Sequence, residues 1–396
     1  MWRATVADPA VWFTDEELGR SRRYQRPLAR MRLARSSLGA GVLAFIAFFG
    51  LAGWLTDTLG ATEWVGALVI IIVAVQAAAL IYDPVLDWWV DMIHDKRWGI
   101  SNQTARGFFA DQAKSLVVVL VATIGIALPL YALVRATDQW WLWGWALVST
   151  LLVAIGFVFP VVVAPIFNHF TPLGPGPLAD RIRELARAGR VDIEGAFVID
   201  ASRRSTRDNA YVSGLGRTRR VVLYDTILEH PIEVVAQVVA HELGHWRLGH
   251  LRRQIPLLSA LSLFVFVWLR ALAEWDGLWA WAGAEGIGDP RGLPVVLLAA
   301  QPALGAVGMI ASWVSRAFER QADEWALELL EDPETMLDMQ RRLHTKNLAD
   351  IDPGLWTRLR ASHPPAAERM AFTHRWADGH GHGRGSGVLA DNGMER

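Results

Sequence analysis

The chain has 396 residues, of which 52% are hydrophobic and 20 are tryptophan, a composition that fits a membrane protein with aromatic interface belts. A formal net charge of -1 gives nucleic acid no electrostatic footing. The absence of cysteine excludes disulfides, thiolate metal sites and Cys nucleophiles, so a metal would have to be held by His, Asp or Glu.

Met1–Arg35 is polar and arginine-rich and predicts no cleavable leader. Six apolar segments follow, each long enough, or nearly so, to cross a hydrocarbon layer of about 30 Å: Ser37–Leu55, Trp64–Ile81, Ser115–Val134, Trp140–Phe159, Ile255–Leu272 and Leu293–Val314. Pro160 and Pro165 predict a kink or break after the fourth. Only the fifth carries a formal charge, Arg270, at its end, where it can snorkel. Basic residues crowd the segment before the first span (Arg20 to Arg35) and the second loop (Lys96, Arg97, Arg106, Lys114), whereas Thr56–Glu63 has none. With six spans this bias puts both termini and the large loops on the cytoplasmic side. Asp83, Asp87 and Asp91 recur at helical spacing, as a wet helix face or a cavity lining would.

Between the fourth and fifth spans, Phe167–Arg253 reads as a soluble α+β insert. Thr171–Pro177 is expected as a Pro/Gly loop and Leu178–Ala188 as an amphipathic helix. Strands are predicted at Ala196–Asp200, Asn209–Ser213 and Arg220–Tyr224, the last two joined through Gly214 and Gly216. Pro231 then opens a helix. Ser315–Leu330 continues the sixth span as helix, and Pro333–Arg375 adds helical segments. The expected organisation is an N-terminal segment (1–36), four spans (37–164), the insert (165–253), two spans (254–315), C-terminal helices (316–376) and a glycine-rich disordered tail (377–396) in which His380 and His382 are inert.

The helix after Pro231 carries His241-Glu242-Leu243-Gly244-His245. Two histidines four apart share one helix face, with Cβ atoms roughly 5–6 Å apart, and can reach one tetrahedral metal, while the glutamate between them can deprotonate a water that the metal activates. Chance occurrence on an ordinary helix is the alternative, but the flanking Val234, Val235, Val238, Val239 and Leu243 make buried His and Glu costly without a task. A catalytic metal needs a third protein ligand. Glu319 is the best candidate, with Asp323 one turn on, placed to hydrogen-bond a ligating histidine. As a plain solvated helix the Glu319–Asp323 pair would be mildly repulsive without a cation between. His363, before two prolines, is either a turn residue or, with Arg369, an oxyanion stabiliser. Asn209, Ala210 and Tyr211 form either an ordinary hairpin strand or an edge that pairs with an extended peptide substrate.

These motifs stand among further blocks: Gly99-Ile100-Ser101-Asn102-Gln103-Thr104 with Phe108-Phe109-Ala110-Asp111, Phe167-Asn168-His169-Phe170-Thr171-Pro172-Leu173, Val222-Leu223-Tyr224-Asp225-Thr226, Phe318-Glu319-Arg320-Gln321-Ala322-Asp323 and Ser362-His363-Pro364-Pro365. Together, from about Tyr24 to Phe372, the chain resembles the type I CAAX prenyl protease family of integral-membrane zinc metalloproteases. The resemblance implies one Zn2+ per chain on His241, His245 and Glu319, Glu242 as catalytic base, Asp323 as proton donor or orienting group, and roles for His363 and Arg369. It also implies a substrate-holding strand at Asn209 and Ala210 and a ring of membrane helices around a water-filled chamber.

The expected fold is mainly α: a polytopic helical membrane protein of about six spans around a chamber, with an inserted α+β zincin-type metalloprotease domain. The expected activity is peptide-bond hydrolysis by a metal-activated water. Its partners would be the lipid bilayer and a peptide or protein substrate, lipidated or membrane-bound. The Ala/Arg/Gly/Trp-rich composition points to a bacterial cell membrane. The rivals are a heat-shock-type membrane quality-control metalloprotease and a non-catalytic membrane scaffold, the latter disfavoured by an intact Glu242.

Overall fold

The computed structural model describes residues 8–214 and 219–382. Helix α1 (Asp15–Phe48) starts on a capping box in which Thr14 and Glu17 satisfy each other's backbone N–H groups. It runs through Pro27 and into the first apolar segment without a break. The sequence division at Ser37 marks where its surroundings change, and the helix itself first breaks before α2 (Leu51–Thr58). α3 (Trp64–Trp88) continues through a π-helical turn, Trp89–His94, into α4 (Asp95–Arg97). α5 (Ala105–Ala136) is capped by the Thr104 hydroxyl. α6 (Trp140–Val158) passes through a second π-helical turn at Pro160 into α7 (Ala164–Phe167), with a 45° bend where the prolines predict one.

Next comes the insert: β1 (Phe170–Pro172), α8 (Pro177–Ala188), β2 (Gly195–Ile199), β3 (Ala210–Ser213), β4 (Arg220–Tyr224) and α9 (Ile232–Arg247). Its sheet has the order β1-β2-β4-β3, with β2 and β4 parallel and both outer pairs antiparallel. β1 lies within the stretch expected to be a loop. At three residues it is too short to show a period, and Pro172 is tolerated because β1 is an edge. Gly216 and the hairpin turn it was expected to form lie outside the described residues, as does the tail from 383 onward.

α10 (His250–Ala273), α11 (Asp276–Trp281) and α12 (Leu293–Leu330) follow, then α13 (Pro333–Lys346), α14 (Leu355–Arg360) and α15 (Ala366–Gly379). Among the described residues, five helices, or six with the bent α6–α7 pair, are long and apolar enough to cross a bilayer. At most 28% of the apolar window of each of the five is buried, so most of each window faces outward, as lipid-contacting helices do. They also line openings, among them a cavity of about 710 Å3 between α1, α3 and α12. Charge faces these openings: Arg35 of α1 pairs with Asp83 and Asp87, and Gln112 donates to Asp87.

α12 has 38 residues, about 57 Å of helix and nearly twice the bilayer core, so its last third leaves the membrane and enters the insert. There Leu327 packs with Leu223, Val235, Val239, Leu243 and Met336 in one core between sheet and helices. The N-terminus returns to the same end, with Phe13 and Leu18 buried against Ile351, Ala366 and Met370. Polar ties join insert to membrane helices. Arg204 makes a bidentate pair with Asp111 of α5 at 2.7 and 3.0 Å, and it also reaches Asn168 Oδ1. Gln103 donates to the same Asp111.

Candidate metal centre

α9 buries Val234, Val235, Val238, Val239 and Leu243 in the insert core, leaving His241, Glu242 and His245 on a face turned toward α12. The two Nε2 atoms are 3.2 Å apart. Glu319 of α12 brings Oε2 to 3.3 Å from His241 Nε2 and Oε1 to 3.4 Å from His245 Nε2. Ligands about 2.0–2.1 Å from a tetrahedral ion stand roughly 3.3 Å from one another, and one atom from each of the three residues lies within 4.8 Å of the others, a spacing that can close around a metal. Glu319 is buried, and its carboxylate is approached by the ring nitrogens of His241, His245 and His363, a cluster of lone pairs and carboxylate charge that a cation would neutralise. The residues therefore fit a metal held by two histidines and one glutamate.

Gly244 makes this approach of α9 to α12 possible. A Cβ there would come 3.0 Å from the Trp325 ring and 3.3 Å from the Ala322 backbone, so the small residue between the histidines sets the helix separation that Glu319 must bridge.

Asp323, wholly buried, lies one turn beyond Glu319 with Oδ1 2.9 Å from His241 Nδ1. Arg369 of α15 closes on it from behind, Nε to Oδ2 at 2.8 Å and Nη2 to Oδ1 at 2.6 Å. The cation that the sequence argument required beside Glu319 and Asp323 is thus already provided in part by Arg369, and their repulsion alone does not mark a metal. Nor does Arg369 stand open to a substrate, since its guanidinium is committed to Asp323. His363 does stand there, with Nδ1 2.7 Å from Glu319 Oε2 and a side chain 63% exposed. Its loop is clamped onto α12, where Arg316 donates to the carbonyls of Arg358 and Ala361, and Ser312 to that of Arg360.

Burial opposes charge throughout the centre, and the neighbours decide each case. Burial pushes the Glu242 carboxyl up to about 7, with Glu319 nearby adding to the rise. Burial would lower His241, but the Asp323 and Glu319 carboxylates outweigh it and raise the ring to about 10. His245 is pushed down to about 3, by burial first and by the neighbouring His241 second. Burial likewise works against Arg369, and Asp323 more than offsets it, holding the guanidinium charged.

Ala210 and Tyr211 lie on β3, the edge strand beside α9, and Asn209 immediately precedes it. The Tyr224 N–H donates to the Asn209 carbonyl. The alternation of an antiparallel ladder then turns the N–H and C=O groups of Ala210 and Val212 away from β4. On that outer edge the Ala210 N–H already donates to Asn209 Oδ1 at 3.0 Å and the Val212 carbonyl accepts from the Trp246 indole N–H at 3.4 Å, which leaves the Ala210 carbonyl and the Val212 N–H as the groups open to pairing. Asp208, wholly buried, anchors the start of the strand on His230, Lys346 and Asn347. Asp208, Arg204 and Arg316 carry positioning tasks that sequence reasoning did not assign. Each acts through a partner more than 20 residues away, and only Arg316 had a local signal, standing three residues before Glu319. His380 and His382 stack on Trp376.

Two histidines of an HExxH helix and a glutamate from the long apolar helix α12 define a membrane metalloendopeptidase. The chain belongs to peptidase family M48, whose family model matches residues 174–377, and the model for the CAAX prenyl protease N-terminal region with five membrane helices matches residues 7–169. Among curated proteins it is similar to the CAAX prenyl protease 1 homolog of Oryza sativa, 26% identical over 93% of this chain and 89% of the relative. It is also similar to the uncharacterized metalloprotease YhfN of Bacillus subtilis, 25% identical over 94% and 89%. The crystal structure of S. mikatae Ste24p shares the fold with a TM-score of 0.80 at 22% identity, over 94% of this chain and 92% of that one.

Proposed function

We propose that the chain is a zinc endopeptidase in which His241, His245 and Glu319 hold one Zn2+ and Glu242 is the general base. The observation that carries this is the convergence of the two Nε2 atoms, 3.2 Å apart, on the Glu319 carboxylate, whose Oε2 and Oε1 lie 3.3 Å from His241 and 3.4 Å from His245. When bound, the ion would supply Lewis acidity toward the scissile carbonyl and toward water. Glu242 takes the proton that the attacking water loses and returns it to the leaving amine. His363, held by Glu319, presents its exposed edge to the oxyanion of the attacked carbonyl. Asp323 orients His241, and Arg369 holds Asp323 rather than the oxyanion, because both carboxylate oxygens are already engaged. The substrate lies extended along Ala210 and Val212, pairing by backbone with the Ala210 carbonyl and the Val212 N–H, and Asn209, Ala210 and Tyr211 form its holding strand.

The metal faces the cytoplasm of a bacterial cell, with both termini on that side. In support, the first turns of α1, at the start of the arginine-rich stretch, touch the C-terminal region that also carries His363 and Arg369, through Arg22 with Asp352 in the loop after α13 and Glu17 with Arg341 of α13. Membrane-bound or lipidated peptides are the substrate class toward which the relatives' names and the cavities among the apolar helices point. Purified protein should contain zinc and cleave a peptide, and comparison of the peptide with and without a prenyl group tests the lipid preference. Absence of zinc, or equal cleavage by Glu242→Gln, would overturn the mechanism. Cleavage restricted to unfolded membrane proteins would replace this substrate class by quality control.

A further inference from the structure

His250 is 3% exposed and opens α10. Gly249, with φ 68°, turns the chain sharply after α9, and this brings the His250 ring back onto His245. The two Nδ1 atoms are 2.9 Å apart, with ring planes at 76°. One face of His250 stacks on Phe318, the residue before Glu319, at 4.5 Å and 7°. Its Nε2 lies 3.2 Å from Gln321 Oε1, the same oxygen that Arg253 Nη1 approaches at 3.5 Å.

Two ring nitrogens at 2.9 Å form a hydrogen bond only when one carries the proton and the other the lone pair. His245 turns Nε2 toward His241 and Glu319, so as a ligand it keeps its proton on Nδ1. His250 Nδ1 then accepts, and the His250 proton sits on Nε2, where the Gln321 amide oxygen receives it. Arg253, a pure donor, favours that orientation of the amide. A single assignment satisfies every donor in the chain from His245 to Gln321.

From this geometry we propose that His250 is a positioning residue for the metal centre. It accepts the His245 Nδ1–H bond and so fixes the ring and tautomer that point His245 Nε2 at the metal, while Phe318 and Gln321 hold His250 from α12. This rests on the reading of His241, His245 and Glu319 as the ligand set. The two ligating histidines are then held unequally, His241 by a charged carboxylate and His245 by a neutral imidazole.

Zinc affinity of the purified full-length protein, measured by competition with a chromophoric chelator, tests the proposal alongside the metal-free Tm. His250→Ala is expected to bind zinc about 10–100-fold more weakly. His250→Asn, which can place an amide oxygen near the position of Nδ1, should recover most of that loss. Wild-type affinity in His250→Ala, or a loss in His250→Asn as large as in His250→Ala, overturns the proposal. Should His250→Ala fail to fold, Gln321→Leu takes its place: a several-fold loss of affinity is expected, and unchanged affinity overturns the proposal. A wild type that binds no zinc overturns instead the ligand reading beneath it.

Discussion

Asp323 Oδ1 lies 2.9 Å from His241 Nδ1, and the carboxylate is fully buried behind the metal centre rather than open to a substrate. Arg369 braces its other side, so a line of contacts runs from α15 through α12 to the ligand on α9.

Breaking that line should separate stability from metal binding. Arg369→Leu strands a buried carboxylate and should destabilise the metal-free fold by about 3–5 kcal/mol, read by thermal unfolding. Asp323→Asn keeps the shape but loses the charge that directs His241, and zinc affinity should fall about 10–100-fold. If Asp323→Asn binds zinc like wild type, Asp323 does not orient the ligand.

Gly244 sits where a methyl group would meet the Trp325 ring at 3.0 Å and the Ala322 backbone at 3.3 Å, so a neighbour would have to give by a few tenths of an ångström. Gly244→Ala should push α9 from α12, cost about 1–3 kcal/mol in stability and weaken metal binding by widening the gap to Glu319. The double variant Gly244→Ala/Trp325→Phe relieves the ring contact but not the backbone one, so affinity should return only in part. Chelator competition on the two variants measures this, and an unaltered affinity in Gly244→Ala would remove Gly244 from the argument.

The apolar spans, the motif helix and Glu319 were legible in the sequence because each rests on local pattern or on spacing along one helix. The unbroken course of α1 was not, since the arginine run before Ser37 looks like a separate segment although helix formation does not depend on that change in polarity. β1 was hidden by its three-residue length. His250 was hidden for a geometric reason: five residues beyond His245 on a continuous helix it would lie about 140° round the axis, and only the turn at Gly249 brings it back. The bidentate hold of Arg204 on Asp111 and the anchoring of β3 by Asp208 join segments far apart in the chain, which no local period records.

Metal removal should loosen the fold as well as stop turnover, because the ligands join the insert helix α9 to the end of membrane helix α12. With free zinc at 1,000 times Kd the bound protein should be about 4 kcal/mol more stable than the chelated one, visible as a zinc-dependent Tm. Glu242→Gln should keep that zinc-dependent shift while losing roughly 10²–10⁴-fold in kcat. A variant that lost both together would make Glu242 structural rather than a base.

The free edge of β3 offers a way to weaken substrate binding without touching the metal. Val212 turns its N–H away from β4, so Val212→Pro removes one outward donor and leaves the β3–β4 ladder paired, the kind of position where an edge strand tolerates proline. One lost backbone hydrogen bond is worth about 0.5–1.5 kcal/mol, which corresponds to a drop of roughly 2–10-fold in kcat/KM. Because the bond is formed with the extended substrate before and during attack, most of the loss should appear in KM. Zinc affinity and Tm should stay near wild type. Steady-state cleavage of one peptide by both proteins measures the split, and a proline variant with unchanged KM would mean that the substrate does not run along β3.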